Sequence, residues 1–243
     1  MWRSISHLIG FAIHATDGRL GKVEDFYFSD QTWTLLYLVA NTGRWLSGRR
    51  VLIPRVAFGT PTSEAWTFPV RLTMQEAWNS PGVDTHKPVC RQHWADSPRH
   101  VTWPFCWVDA LLPMACTCVL PSVAAIGAAP AGQQRTDIAP QNPRGGDPHL
   151  RSARRVMGYD IQAKDGGIGH VTDFILDDEE WSIPCLVVDT GHWWPRRRVL
   201  VSPLCVSGVS WEESKVLTPL SREDVKSCPE FETCQERGRK QSQ

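Results

Sequence analysis

The sequence contains an internal repeat with an offset of 148 residues, and this repeat limits the possible fold more than any other feature. Residues 10–54 and 158–202 align without a gap and are identical at 20 of 45 positions. A fixed internal period indicates that one structural unit occurs twice in the chain. We therefore expect two modules of the same fold. The residues common to both copies should be those that the module itself requires.

Within each copy, short apolar segments alternate with turn residues. Strands are predicted in the first copy at 9–15, 20–28, 33–40, 51–53 and 66–72, with a turn at Asp17-Gly18. Gly21 indicates a β-bulge or a close backbone approach. A capping box opens a short helix after the last strand, at Thr73-x-x-Glu76 and again at Ser221-x-x-Asp224. The pattern favours an all-β fold of two tandem small barrels in a pseudo-twofold arrangement, each with a short C-terminal helix.

These motifs resemble the PRC-barrel family over about residues 4–84 and 152–232. The resemblance rests on Gly-x-x-Ile, the Asp-Gly turn, Val-x-Asp-Phe, a central Trp-to-Val strand and Arg-Arg-Val-Leu. The family includes the cytoplasmic domain of the photosynthetic reaction-centre H subunit and the C-terminal domain of RimM. It implies small barrels that dock onto other macromolecules without a shared catalytic site. No transmembrane helix precedes the first module and the N-terminal domain of RimM is lacking, so neither specific role is transferred.

The repeat divides the chain into four segments. Residues 1–84 form the first module and 151–232 the second, while 233–243 are a polar disordered tail. Residues 85–150 are rich in Pro, Ala and Trp, a composition typical of a flexible linker.

Composition excludes several classes of protein. Lys plus Arg and Asp plus Glu both number 26, so the chain has no basic footprint for nucleic acid. The first residues lack the apolar core of a signal peptide, and we expect a cytoplasmic protein. Of the eight cysteines, four lie in the linker and four in the second half only, the last of them in the tail. A disulfide scaffold would be duplicated with its module, so we expect mostly reduced thiols.

Asp25 and Asp173 stand at the same position of both copies. They could act as acid–base or metal-binding carboxylates. The alternative, which we favour, is structural: each accepts hydrogen bonds from a nearby turn or from Arg49 and Arg197.

Adjacent arginines and tryptophans form the candidate partner-binding site. Guanidinium groups recognise carboxylates and phosphates, and Trp with Arg is the composition of an interface hot spot. The residues concerned are Trp45, Arg49, Arg50, Trp193, Trp194, Arg196, Arg197 and Arg198. In the opposing interpretation these arginines pair with the aspartates or are solvated, and the tryptophans close the barrels.

No histidine is identical in both copies, and the sequence contains no nucleophile elbow, phosphate-binding loop or His-Glu-x-x-His motif. We therefore predict a protein that is not an enzyme and that needs no cofactor.

The linker permits two further interpretations. Four soft ligands could bind a metal, although zinc sites usually have tighter spacing; they are His86, Cys90, His93 and Cys106. Residues 110–134 carry no charge, but three prolines interrupt them, which argues against a membrane span. Peripheral membrane contact is the better alternative and would use Trp94, Trp103, Phe105 and Trp107.

The sequence thus favours a non-catalytic scaffold that docks onto a protein partner or a macromolecular assembly. The alternatives are a metal- or redox-linked protein that uses the linker thiols, and a small enzyme with one active barrel. A homodimer is compatible with the sequence.

Overall fold

The computed structural model describes residues 1–43, 48–80, 82–83, 149–191 and 197–231. Within these ranges the chain is mostly β, as predicted, and its thirteen strands belong to one curled sheet. Four short α-helices lie beside the sheet in the same ranges.

The first half begins with a short strand and a one-turn helix. Its elements are β1 (Trp2–Ser4), α1 (Ile5–Leu8), β2 (Ala12–Ala15), β3 (Gly18–Ser29), β4 (Thr34–Asn41), β5 (Arg50–Pro54), β6 (Thr67–Pro69) and α2 (Met74–Asn79). The second half follows the same order, with one additional strand, β12. Its elements are β7 (Leu150–Ser152), α3 (Ala153–Val156), β8 (Asp160–Ala163), β9 (Gly166–Asp177), β10 (Ser182–Asp189), β11 (Arg198–Val201), β12 (Gly208–Ser210), β13 (Lys215–Leu217) and α4 (Arg222–Lys226).

The β2–β3 hairpin contains the predicted turn and the predicted bulge. Ala15 lies opposite Gly18, and a register shift leaves Leu20 as an extra residue in β3. Next to this bulge, a Cβ atom on Gly21 would lie only 2.1 Å from the carbonyl oxygen of Asn41. The same position of the second half, Gly169, is as close to its neighbouring strand. A glycine is required here because β3 and β4 approach too closely for a side chain.

The turn aspartates also support the C-terminal helices. Both predicted capping boxes are present, at the starts of α2 and α4. In addition, Asp17 Oδ1 accepts a hydrogen bond of 2.7 Å from the backbone N–H of Met74, and Asp165 Oδ1 accepts one of 2.8 Å from that of Arg222. The first turn of each helix therefore has acceptors from its own cap and from the hairpin.

The two halves exchange their first strands. β1 of the first half pairs antiparallel with β9 of the second, with Trp2 opposite Asp177. Reciprocally, β7 of the second half pairs with β3 of the first, with Leu150 opposite Ser29. These partners are related by the same offset of 148, so the contacts are reciprocal, as the predicted pseudo-twofold arrangement requires.

The sheet is continuous across the centre of the molecule because β4 pairs with β10. Leu35 donates its N–H to the carbonyl of Trp181 at 2.8 Å, and Ile183 donates to that of Trp33 at 2.7 Å. Both tryptophans have positive φ, 51° at Trp33 and 56° at Trp181. Such a conformation is uncommon for a bulky residue, and the turn that precedes each strand imposes it.

A single hydrophobic core joins the halves. Phe28 of the first half and Phe174 of the second meet with ring centroids 5.4 Å apart. Trp181 of the second half packs against Phe58 and Phe68 of the first, at 4.8 and 5.6 Å. A module of about 80 residues has a thin core, and sharing it between two modules buries more apolar surface.

Two predicted boundaries were wrong. The first predicted strand, 9–15, begins only at Ala12; a helix precedes it because Ser4 caps that helix and Ile5 and Leu8 are buried on one face. The second half begins at His149 and Leu150, which the linker prediction included, because these residues pair with the first half. Separate closure of two barrels stays a prediction, since the described strands form one shared sheet.

The close approach at Gly21 gives a direct test of the fold. Gly21→Ala should lower the free energy of unfolding by about 2 kcal/mol or more, because the new Cβ collides with backbone that cannot move independently. Urea unfolding measures the change. Gly208→Ala is the matched control, since a Cβ there meets nothing within 4 Å. Equal effects of the two substitutions would contradict the assigned packing.

Candidate partner-binding site

Asp25 lies at the junction between the halves. Its carboxylate accepts hydrogen bonds from Ser152 Oγ at 2.5 Å, from the Arg154 N–H at 2.9 Å and from the Phe26 N–H at 2.7 Å. Ser152 and Arg154 belong to the start of the second half, at the end of β7 and in α3. Asp25 therefore caps a helix of the opposite half, and Ser152 itself caps that helix as well.

Asp173 makes the reciprocal contacts. It accepts hydrogen bonds from the hydroxyls of Ser4 and Ser6 and, at 3.0 Å, from the Ser6 N–H at the start of α1. The structural interpretation of both aspartates agrees with these contacts, but the donors are different from those expected. Arg49 and Arg197 have other partners, described below, and the aspartates hold the opposite half of the chain.

The environments of the two aspartates differ in burial. Asp25 is 9% exposed, and desolvation raises its pKa to about 6 although three donors surround the carboxylate. The hydrogen bonds that Asp173 accepts from Ser6 lie at the exposed side of the junction. An unsatisfied donor costs more in the buried copy, because water cannot replace the carboxylate there.

Two ion pairs flank this junction. The sequence-based prediction did not include them. Arg3 Nε lies 2.5 Å from Asp178 Oδ2, and Arg151 Nη2 lies 2.6 Å from Asp30 Oδ2. Both arginine side chains are 14% exposed, so these pairs are largely shielded from solvent. A signal was available, because Arg-Ser at residues 3–4 matches Arg-Ser at residues 151–152 at the same offset of 148.

The candidate arginines have distinct surroundings. Arg49 donates to the backbone carbonyls of Trp78 and Ser80, at 3.2 and 3.0 Å, beyond the end of α2. Arg50 pairs with Glu24 at 2.6 Å. Adjacent positions in the chain thus direct the two guanidiniums to different partners. Trp78 is 42% exposed, so an aromatic ring and Arg49 share this part of the surface.

In the second half the equivalent arginines are more accessible. Arg197 pairs with Glu230 at 2.9 Å, and its side chain is 52% exposed. Arg198 is exposed at the start of β11. The remaining residues of the predicted site lie outside the described residues; they are Trp45, Trp193, Trp194 and Arg196. The combined Arg/Trp site therefore stays a prediction.

The metal and membrane interpretations of the linker also concern residues outside the described ranges, including His86, Cys90, His93 and Cys106. Among the described residues, no group of three or more His, Cys, Asp or Glu side chains is placed to hold a metal ion. The helices in the same ranges are all too short or too polar to cross a membrane. Within these ranges Cys185, Cys205 and Cys228 form no disulfide, and burial raises the pKa of Cys228.

An open groove of about 510 Å³ adjoins the junction on the side of the first half. Backbone and side chains of the β2–β3 hairpin and β4 form most of it, and Arg154 from α3 completes it. The lining residues are Ile9, Gly10, Arg19, Gly21, Lys22, Val23, Glu24, Asn41, Gly43 and Arg154. Sequence comparison did not indicate this groove, because its cations differ between the copies.

Comparison with protein families identifies the module. Residues 3–64 match the model of the PRC-barrel domain, so the chain carries a PRC-barrel domain in its first half. This confirms the family resemblance for the first module, while that of the second module stays a prediction. The specific likeness to the H subunit and to RimM stays a prediction. No curated protein matches the chain.

The two junction aspartates should contribute unequally to stability. Asp25→Ala should lower the free energy of unfolding by about 2–3 kcal/mol, because it leaves buried donors of the second half without an acceptor. Asp173→Ala is the matched control and should cost about 1 kcal/mol, since water can reach its donors. Urea unfolding of both variants measures the difference. Equal losses would show that burial does not determine the strength of the cap.

The titration of Asp25 gives a pH dependence of known sign. Its pKa is about 6 in the folded chain and near 3.8 when unfolded, so the folded state binds the proton more tightly. Its contribution to stability is therefore greatest at acid pH and declines as the pH rises from about 4 to about 6. Relative to wild type, Asp25→Asn should gain roughly 1–3 kcal/mol of unfolding free energy between pH 4 and pH 7. Urea unfolding at both pH values checks this, and a constant difference would contradict it.

Proposed function

We propose that this protein is a non-catalytic docking protein that holds a protein partner or a macromolecular assembly on its PRC-barrel surfaces. The observation that carries the proposal is the PRC-barrel match over residues 3–64. The PRC-barrel domain is a β-barrel module that often mediates protein interactions. The second half follows the same order of elements at a constant offset, and we infer that it is a second module of this kind.

The use of the repeated carboxylates supports a docking role over an enzymatic one. Asp17 and Asp165 hold the C-terminal helices, while Asp25 and Asp173 hold the exchanged segments. Each of these side chains is engaged in a structural hydrogen bond at the same position of both halves. The groups that duplicated with the module thus serve its architecture.

The exchange of strands also determines what kind of docking protein this is. Two modules joined only by a linker would move independently, and each would bind by itself. Here β1, β7 and the shared core fix one half on the other. A partner therefore contacts one surface composed of both halves. Once it binds either half, its orientation relative to the other half is also fixed.

The arginines of the second half provide the docking contact in this proposal. Arg197 and Arg198 are exposed at the start of β11, and guanidinium groups bind carboxylates on a partner with defined geometry. Arg49 beside the exposed Trp78 gives the first half a similar composition. Arginine and tryptophan contribute a large share of the energy at protein interfaces.

Quantitative affinity capture from the native cell tests this contact. A variant with Arg196, Arg197 and Arg198 changed to Ala should retain at most about a tenth of the partner bound by wild type, a loss of roughly 1.4 kcal/mol. The matched control removes three cations elsewhere on the surface: the exposed Arg71 and Lys164, and the half-buried Lys215, changed to Ala. Capture of every wild-type partner at an unchanged level by the arginine variant would refute this contact.

The cytoplasmic location, the homodimer and the peripheral membrane contact stay predictions from the sequence. The metal- or redox-linked alternative also remains open to test. Elemental analysis of protein purified without chelator would support that alternative if it found a stoichiometric metal.

A further inference from the structure

The groove beside the junction carries an uncompensated positive charge. Arg19, Lys22 and Arg154 line it and are exposed. Glu24 is its only acidic lining residue, and both oxygens of that carboxylate are already engaged. Arg50 donates to one oxygen at 2.6 Å and Asn41 to the other at 2.9 Å. Among the described residues, none of the three lining cations forms an ion pair with a carboxylate, although Arg154 interacts electrostatically with the buried Asp25. The groove is therefore a site for negative charge.

The exchange of segments supplies one of the three cations of the groove. Arg19 and Lys22 lie on β3 of the first half, whereas Arg154 belongs to α3 of the second. The backbone N–H of Arg154 is held by Asp25, which fixes the position of its Cα atom beside β3. The β-bulge at Leu20 changes the alternation of β3, and Arg19 and Lys22 both line this groove as a result.

The equivalent surface of the second half lacks these charges. At the offset of 148 residues, the positions equivalent to Arg19, Lys22 and Arg154 are occupied by Gly167, His170 and Ser6. The backbone that forms the groove is repeated, since Gly158, Gly169 and Gly191 match Gly10, Gly21 and Gly43. The three cations therefore occur at this groove and not at its equivalent in the second half, so the fold does not require them.

We propose that this groove binds an acidic peptide segment of the protein partner. The proposal rests on the docking function above and identifies the chemistry of one contact. Three glycines leave backbone accessible along the groove, which suits an extended chain. Arg19 lies opposite His14 and Lys22 opposite Ala12, so the bulge leaves the two cations two ladder positions apart, roughly 7 Å along the strand. This spacing fits carboxylates on alternate residues of an extended acidic segment, because those side chains point to the same side.

Fluorescence anisotropy with a labelled hexaglutamate peptide tests the proposal on the full chain. Wild type should bind it saturably, and binding should weaken as salt rises. Arg19→Ala with Lys22→Ala should weaken the affinity at least tenfold, and Arg154→Ala at least threefold. Arg71→Ala with Lys164→Ala removes the same charge elsewhere and should change the affinity less than twofold. Far-UV circular dichroism confirms that these surface variants fold.

Three outcomes would overturn the proposal. The first is no binding of hexaglutamate by wild type. The second is an equal loss in the control pair, which would indicate general attraction to a charged surface. The third is a stronger interaction with inorganic triphosphate, displaced by the groove substitutions, which would assign the groove to small polyanions.

The same variants separate this proposal from the docking function. If the partner is captured by wild type and by the Arg19/Lys22 variant alike, the groove assignment fails while the docking function stands. If no partner is captured but hexaglutamate binding follows the groove substitutions, the docking function fails and the groove remains an acidic-peptide site.

Discussion

Each half of this protein is completed by the first residues of the other half, and the remaining architecture depends on that exchange. Asp25 holds Ser152 and Arg154, while Asp173 holds Ser4 and Ser6. The hydrogen bonds are supported by strand pairing and by shielded arginine–aspartate pairs on both sides. Because every one of these contacts joins the halves, neither half is complete without its counterpart.

The exchange gives the duplicated carboxylate a structural role in both halves. An aspartate that caps a helix across the junction needs only short donors at that helix start, and serines fill that position in both halves. The buried member, Asp25, is costly at neutral pH because desolvation opposes its charge. The three donors around it offset only part of this cost, since the pKa remains raised at about 6.

Because of the exchange, the groove of the first half and the equivalent surface of the second half can differ in charge. The groove takes most of its lining from the first half and Arg154 from the second, so a change at residue 154 alters this groove and leaves the equivalent surface of the second half unchanged. The basic character of the groove lies in side chains that the copies do not share. Residues that differ between the copies thus supply this groove with its charge, whereas the candidate arginines at 49–50 and 197–198 are common to both.

The sequence by itself determined the module: its strand order, the Asp-Gly hairpin, the requirement for glycine at residue 21 and the capping boxes all follow from local patterns. These features depend on short-range backbone geometry, which neighbouring residues encode directly. The tertiary structure alone decided three contacts. These are the hydrogen bonds of each aspartate to the opposite half, the ion pair of Arg50 with Glu24, and the grouping of cations along the groove. Those contacts join residues that lie more than a hundred positions apart or on different strands. Local patterns in a single sequence do not show which distant residues pair.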